Sequence, residues 1–120
     1  MIFDFTESSR FHLYREAVDM RKGIHSLYHL VHVMGDMDAL SGDSFVFIGR
    51  TLKSVKILRW HQEGFVLYYK KLELGRYSLP QNIGDSPFFE IASDEVDRLV
   101  NAIKHRSTSN ELRKKALLTL

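Results

Sequence analysis

Between residues 50 and 76 the chain carries seven Lys and Arg against two Asp and Glu, a local charge of +5. Residues 1–49 carry four against seven and residues 77–120 six against six, so the whole chain reaches only +2. Cations on neighbouring strands neutralise phosphates, and an aromatic ring among them offers a surface for base stacking. Arg50, Lys53, Arg59, Tyr68, Lys70, Lys71 and Arg76 are therefore the candidate nucleic-acid contacts. Arg21 and Lys22 form a second candidate, an anion site where the first turn of a helix would add free N–H groups to two cations. Their alternative role is to cover neighbouring apolar groups with their stems.

Other chemistries find less support. His25, His29 and His32 fall at i, i+4 and i+7 and would share one stripe of a helix, as a zinc or nickel site could use. No carboxylate lies on that row and Arg21 extends it by a turn, so a solvated face is expected and no metal. Asp36, Asp38 and Asp43 lack the calcium-loop pattern, because Leu40 and Phe47 occupy positions that need oxygen ligands. There is no cysteine, no Gly-x-Ser-x-Gly and no glycine-rich phosphate loop. These residues predict a non-enzyme without a cofactor. No apolar run approaches the ~20 residues of a membrane span, and MIFDFTESSR has no basic-then-apolar signal pattern, so the expectation is a cytoplasmic protein.

The elements that must position the cations follow from periodicity. The chain length suits one domain, residues 1–120. Strands are expected at 10–16, 45–50, 54–61, 64–71 and, more weakly patterned, 75–79. Met20, Ile24, Leu27, Val31 and Met34 repeat at helical spacing and predict a helix over 20–34, with Asp19 as N-cap, Gly23 in the first turn and Gly35 beyond the end. Ser93 caps a second helix, 93–106, with Asp94 and Glu95 in its first turn and Val96, Leu99, Val100 and Ile103 on one stripe. Thr108 and Glu111 form a capping box, which makes 107–120 a short helix or a fraying tail.

The hairpin turn is read as His61-Gln62-Glu63-Gly64, with Gly64 supplying positive φ and Trp60 opposite Phe65. Alternation then gives two faces. One, with Lys56, Leu58, Trp60, Phe65, Leu67 and Tyr69, is the expected core face, with the Lys56 ammonium reaching water at its margin. The other, with Val55, Ile57, Arg59, Val66, Tyr68 and Lys70, is the expected outer surface. The predicted fold is α+β: a small, largely antiparallel β-meander with helices packed on one face.

DMRKGIHSL at 19–27 and FVFIGRTLKSVKILRWHQEGFVLYYKKLELGRYSLP at 45–80 resemble the TnpB family, the small accessory proteins of the bacterial insertion sequences numbered sixty-six. The resemblance runs from Arg10 to about Pro80, continues weakly through the C-terminal helix, and leaves Asn110–Leu120 outside. Two positions depart from it: Trp60-His61-Gln62 stands where the family has Trp-Asp-Gly, and Tyr77-Ser78-Leu79-Pro80 where it often has an aromatic followed by Trp-Pro. The resemblance implies a role in DNA transposition, with a separate, larger transposase and other element-encoded proteins as partners. Two readings of that role arise: a non-catalytic accessory contacting DNA through the basic, Tyr-containing hairpin, or an adaptor docking on the transposase through the Tyr/Val/Ile face without touching DNA.

Overall fold

The computed structural model describes residues 10–100. Its strands are β1 (Phe11–Tyr14), β2 (Ser44–Ile48), β3 (Ser54–His61), β4 (Gly64–Lys71) and β5 (Phe88–Ile91). Helix α1 (Ile24–His29) continues as a wider π-helical segment, Leu30–Met34, and α2 spans Ser93–Val100. One sheet holds all five strands in the order β4-β3-β2-β1-β5. β2, β3 and β4 form an antiparallel meander, whereas β1 lies parallel to β2 and antiparallel to β5. A parallel neighbour needs a crossover, and α1 supplies it.

The sheet is covered on both faces. On one, Leu27, Val31 and Ala39 pack with Phe45, Phe47, Leu58 and Phe88. On the other, Val96 and Leu99 of α2, with Leu72 and Tyr77, pack on Phe11, Leu13, Val46, Ile48, Val55 and Ile57. The two helices therefore lie on opposite faces, not on one as the pattern predicted. β2 shows why: all five of its residues are buried, as expected of a strand sandwiched on both sides.

Local chemistry sets the boundaries. The Asp19 side chain accepts from the Arg21 N–H at 2.9 Å and closes a turn instead of capping α1. The helix starts four residues later than expected, with Gly23 as an extended N-cap outside it. Gly35 closes the π segment at φ −90°, and an added Cβ would meet the Phe88 ring at 2.6 Å. Its use is close approach, not positive φ. In the second helix Ala92 takes the cap position and Glu95 reaches back to its N–H at 3.3 Å, so Ser93 is already inside the helix.

The β3–β4 register places Trp60 opposite Phe65, as expected, and closes with His61 opposite Gly64. The turn residues are Gln62 and Glu63, at φ +46° and +67°, so these two and not Gly64 carry the left-handed backbone. Residues 75–79 form no strand; the sheet's last member is Phe88–Ile91. Ile103, Thr108, Glu111 and the rest of 101–120 lie outside the described residues.

Candidate nucleic-acid interface

Main-chain bonds gather much of the positive charge at one end of the sheet. β3 begins there and β4 ends there, with Ser54 opposite Lys71. Past the strands the Leu72 N–H donates to the Lys53 carbonyl at 2.7 Å, and the Tyr77 N–H to the Leu52 carbonyl at 2.6 Å. The turn carrying Arg50 and Lys53 is thereby tied to the segment carrying Lys71 and Arg76. Arg50, Lys71 and Arg76 are exposed and Lys53 is half-buried. Val18 bridges to Gly49, and its N–H donates to the Ile48 carbonyl at 2.9 Å, which brings the 18–22 turn alongside. Arg21 and Lys22, both exposed, sit on that turn.

Lys56 holds the turn in place. Its stem is buried, and its ammonium donates to the Met20 and Lys22 carbonyls at 2.7 and 2.8 Å and lies 4.9 Å from the centre of the Tyr69 ring. The ammonium expected in water is thus a structural clamp. Arg21 forms a fork with Asp19, its closest oxygen 2.6 Å away. That fork, followed by the Arg21 N–H and at longer range Arg50, holds the Asp19 carboxyl well below the usual carboxylate range. Much of Arg21's charge is consequently answered within the turn, and α1 begins at Ile24 after its N-cap Gly23, so these two cations precede the helix and do not sit in its first turn.

The remaining candidates, Arg59, Tyr68 and Lys70, share the face turned to α2. Arg59 is 5% exposed, near the opposite end of β3, and its guanidinium reaches the His61 ring at 3.5 Å. Tyr68 is half-buried beneath the α2 layer, and its phenol is raised above its ordinary value by burial. The Lys70 ammonium donates to the Val100 carbonyl at the end of α2. The face expected to be an outer surface is therefore covered, buried at Val55, Ile57 and Arg59 and half-buried at Val66, Tyr68 and Lys70. His25 and His29 are exposed on α1 and His32 on the π-helical segment, His32 stacking on Tyr28. Among the described residues no three His, Cys, Asp or Glu come together as a metal site, and no helix is long and apolar enough to cross a membrane.

Two polar contacts lay beyond sequence reasoning. His12, 6% exposed, meets Asp43 at 2.9 Å and stacks on Phe45, anchoring the 35–43 loop to β1. Arg15 bonds the Ser86 and Asn82 carbonyls and the Asn82 side chain while lying over Phe89, which fixes the approach to β5. Their partners are distant in sequence, and neither pair leaves a spacing signal.

The arrangement offers separated cations at one end of the sheet, joined by main-chain hydrogen bonds. A search of curated proteins and a search of solved structures found no match. A family model described as IS66 Orf2-like protein matches residues 9–110, which takes in every strand, both helices and the basic end. The chain belongs to the IS66 Orf2-like family, the small accessory proteins of insertion-sequence transposition.

Proposed function

We propose that the protein is a non-catalytic accessory of transposition that contacts DNA through the basic end of its sheet. The observation that carries this reading is the joining of Arg50, Lys53, Lys71 and Arg76 by the Lys53–Leu72 and Leu52–Tyr77 main-chain bonds. Cations fixed on strand ends keep their spacing when a phosphate backbone approaches, and each contact releases condensed counterions. Arg59, Tyr68 and Lys70 act inside the fold in this reading, which is narrower than the hairpin face the sequence suggested. The adaptor alternative would have to use a different surface from the Tyr/Val/Ile face, because Val55, Ile57 and Arg59 are buried.

The test is duplex binding by purified variants over a salt series. Arg50→Ala and Arg76→Ala should each lower the magnitude of the salt slope by ~0.9 and weaken all sequences alike. Arg59→Ala should lower stability and leave the slope of the folded fraction unchanged. If the Arg50→Ala/Arg76→Ala double variant binds duplexes with the wild-type slope, the DNA surface is wrong. Loss of transposase capture in that same variant would put the adaptor reading in its place.

A further inference from the structure

The long edge of the sheet is built to pair with itself. β4 is an outer strand of eight residues, and among the described residues no strand covers its far side. The Leu72 N–H bonds to the Lys53 carbonyl directly opposite, which fixes the phase of the β3–β4 ladder. Because hydrogen-bonded and non-bonded pairs alternate, Gly64, Val66, Tyr68 and Lys70 turn their main-chain groups to β3. Phe65, Leu67, Tyr69 and Lys71 turn theirs to the open edge. An antiparallel partner must present residues of the same phase.

We infer that the partner is a second copy of this chain, paired β4 to β4 about a two-fold axis at Leu67. In that register Leu67 faces Leu67, Phe65 faces Tyr69 and Val66 faces Tyr68, so apolar groups meet apolar groups on both faces. Tyr69, half exposed in the single chain, gains an aromatic neighbour. The ladder ends with Gly64 opposite Lys70, and just past it the turn residue Glu63 comes beside Lys71, giving two symmetry-related pairs of opposite charge; both residues are exposed in the single chain. Moving the axis to Tyr68 sets Lys71 against Phe65 and Lys70 against Val66; parallel stacking sets lysine on lysine. Lysines at an edge normally discourage pairing, and here they disfavour both of these alternatives. The two-fold axis runs through the sheet, so both copies of α1 stay on the same side and neither β4 edge is left for a third copy.

Sedimentation across a concentration series, without DNA, tests this. The wild-type chain should form a dimer; Glu63→Lys and Lys71→Glu should each weaken it by about tenfold, and the Glu63→Lys/Lys71→Glu double variant should recover wild-type association. Hydrogen exchange supplies a readout independent of charge: amides of Phe65, Leu67 and Tyr69 should become protected as concentration rises, while those of Val66 and Tyr68 are protected at every dilution. A monomer at all concentrations, a dimer indifferent to both reversals, a double variant without recovery, or edge amides that exchange equally fast throughout would each overturn the inference. These outcomes are read without DNA and so test the dimer alone; Lys71 is the residue it shares with the proposed DNA surface.

Discussion

Tyr77 shows what a single side chain contributes. It is 2% exposed, and its hydroxyl is buried with no hydrogen-bond partner among the described residues. Burial, with the neighbouring Tyr68 second, pushes its phenol well above the ordinary range. A phenol harder to ionise in the folded chain than in the unfolded one gives stability that is complete below about pH 10 and is lost as pH rises beyond it. Tyr77→Phe removes both the orphan hydroxyl and that titration. Urea unfolding should show the variant equal to wild type or up to about 1 kcal/mol more stable at neutral pH, with a shallower loss of stability at alkaline pH. The ring was legible in sequence only as part of a strand that does not form. Charged residues misled more: Arg59 and Lys70 were read as a wet face because types suggest solvent, yet the Arg59 guanidinium is buried beside the His61 ring and the Lys70 ammonium donates to a carbonyl.

Elements were legible where local pattern decides them and obscure where a distant neighbour does. The β3–β4 pairing follows from two alternating runs around a short turn, and the structure has that register. α1 starts late because the Asp19 carboxylate found its own turn, a competition that periodicity does not see. β5 escaped because four residues behind Pro87 carry almost no pattern of their own; β1 and Arg15 make it a strand. Gly35 marks the joint between the crossover and β5, where the Phe88 ring fills the space a side chain would take. Gly35→Ala should cost ~1–3 kcal/mol by overpacking, read from the denaturation midpoint. A Gly35→Ala variant of unchanged stability would mean that the crossover can slide off Phe88.

At the scale of the whole molecule the two-sided sheet is the main departure from expectation. One amphipathic strand was assumed to imply one wet face, but the buried run of β2 and the stripe of α2 require cover on both. Leu58→Ala on the α1 side and Ile57→Ala on the α2 side should therefore each cost ~2–5 kcal/mol in equilibrium unfolding. A sheet open on the second side would lose under ~1 kcal/mol at Ile57. The sheet order also bears on the chain as it is made. β1 leaves the ribosome first, yet its two neighbours arrive far apart in time: β2 soon after it, and β5 only when Ile91, the partner of Phe11, has emerged. Until then β1 presents an unpaired edge and its α2-side residues lack their cover. A message cut short between β4 and β5 would release a chain whose meander can form and whose first strand remains open, a product fit for capture by chaperones and proteases.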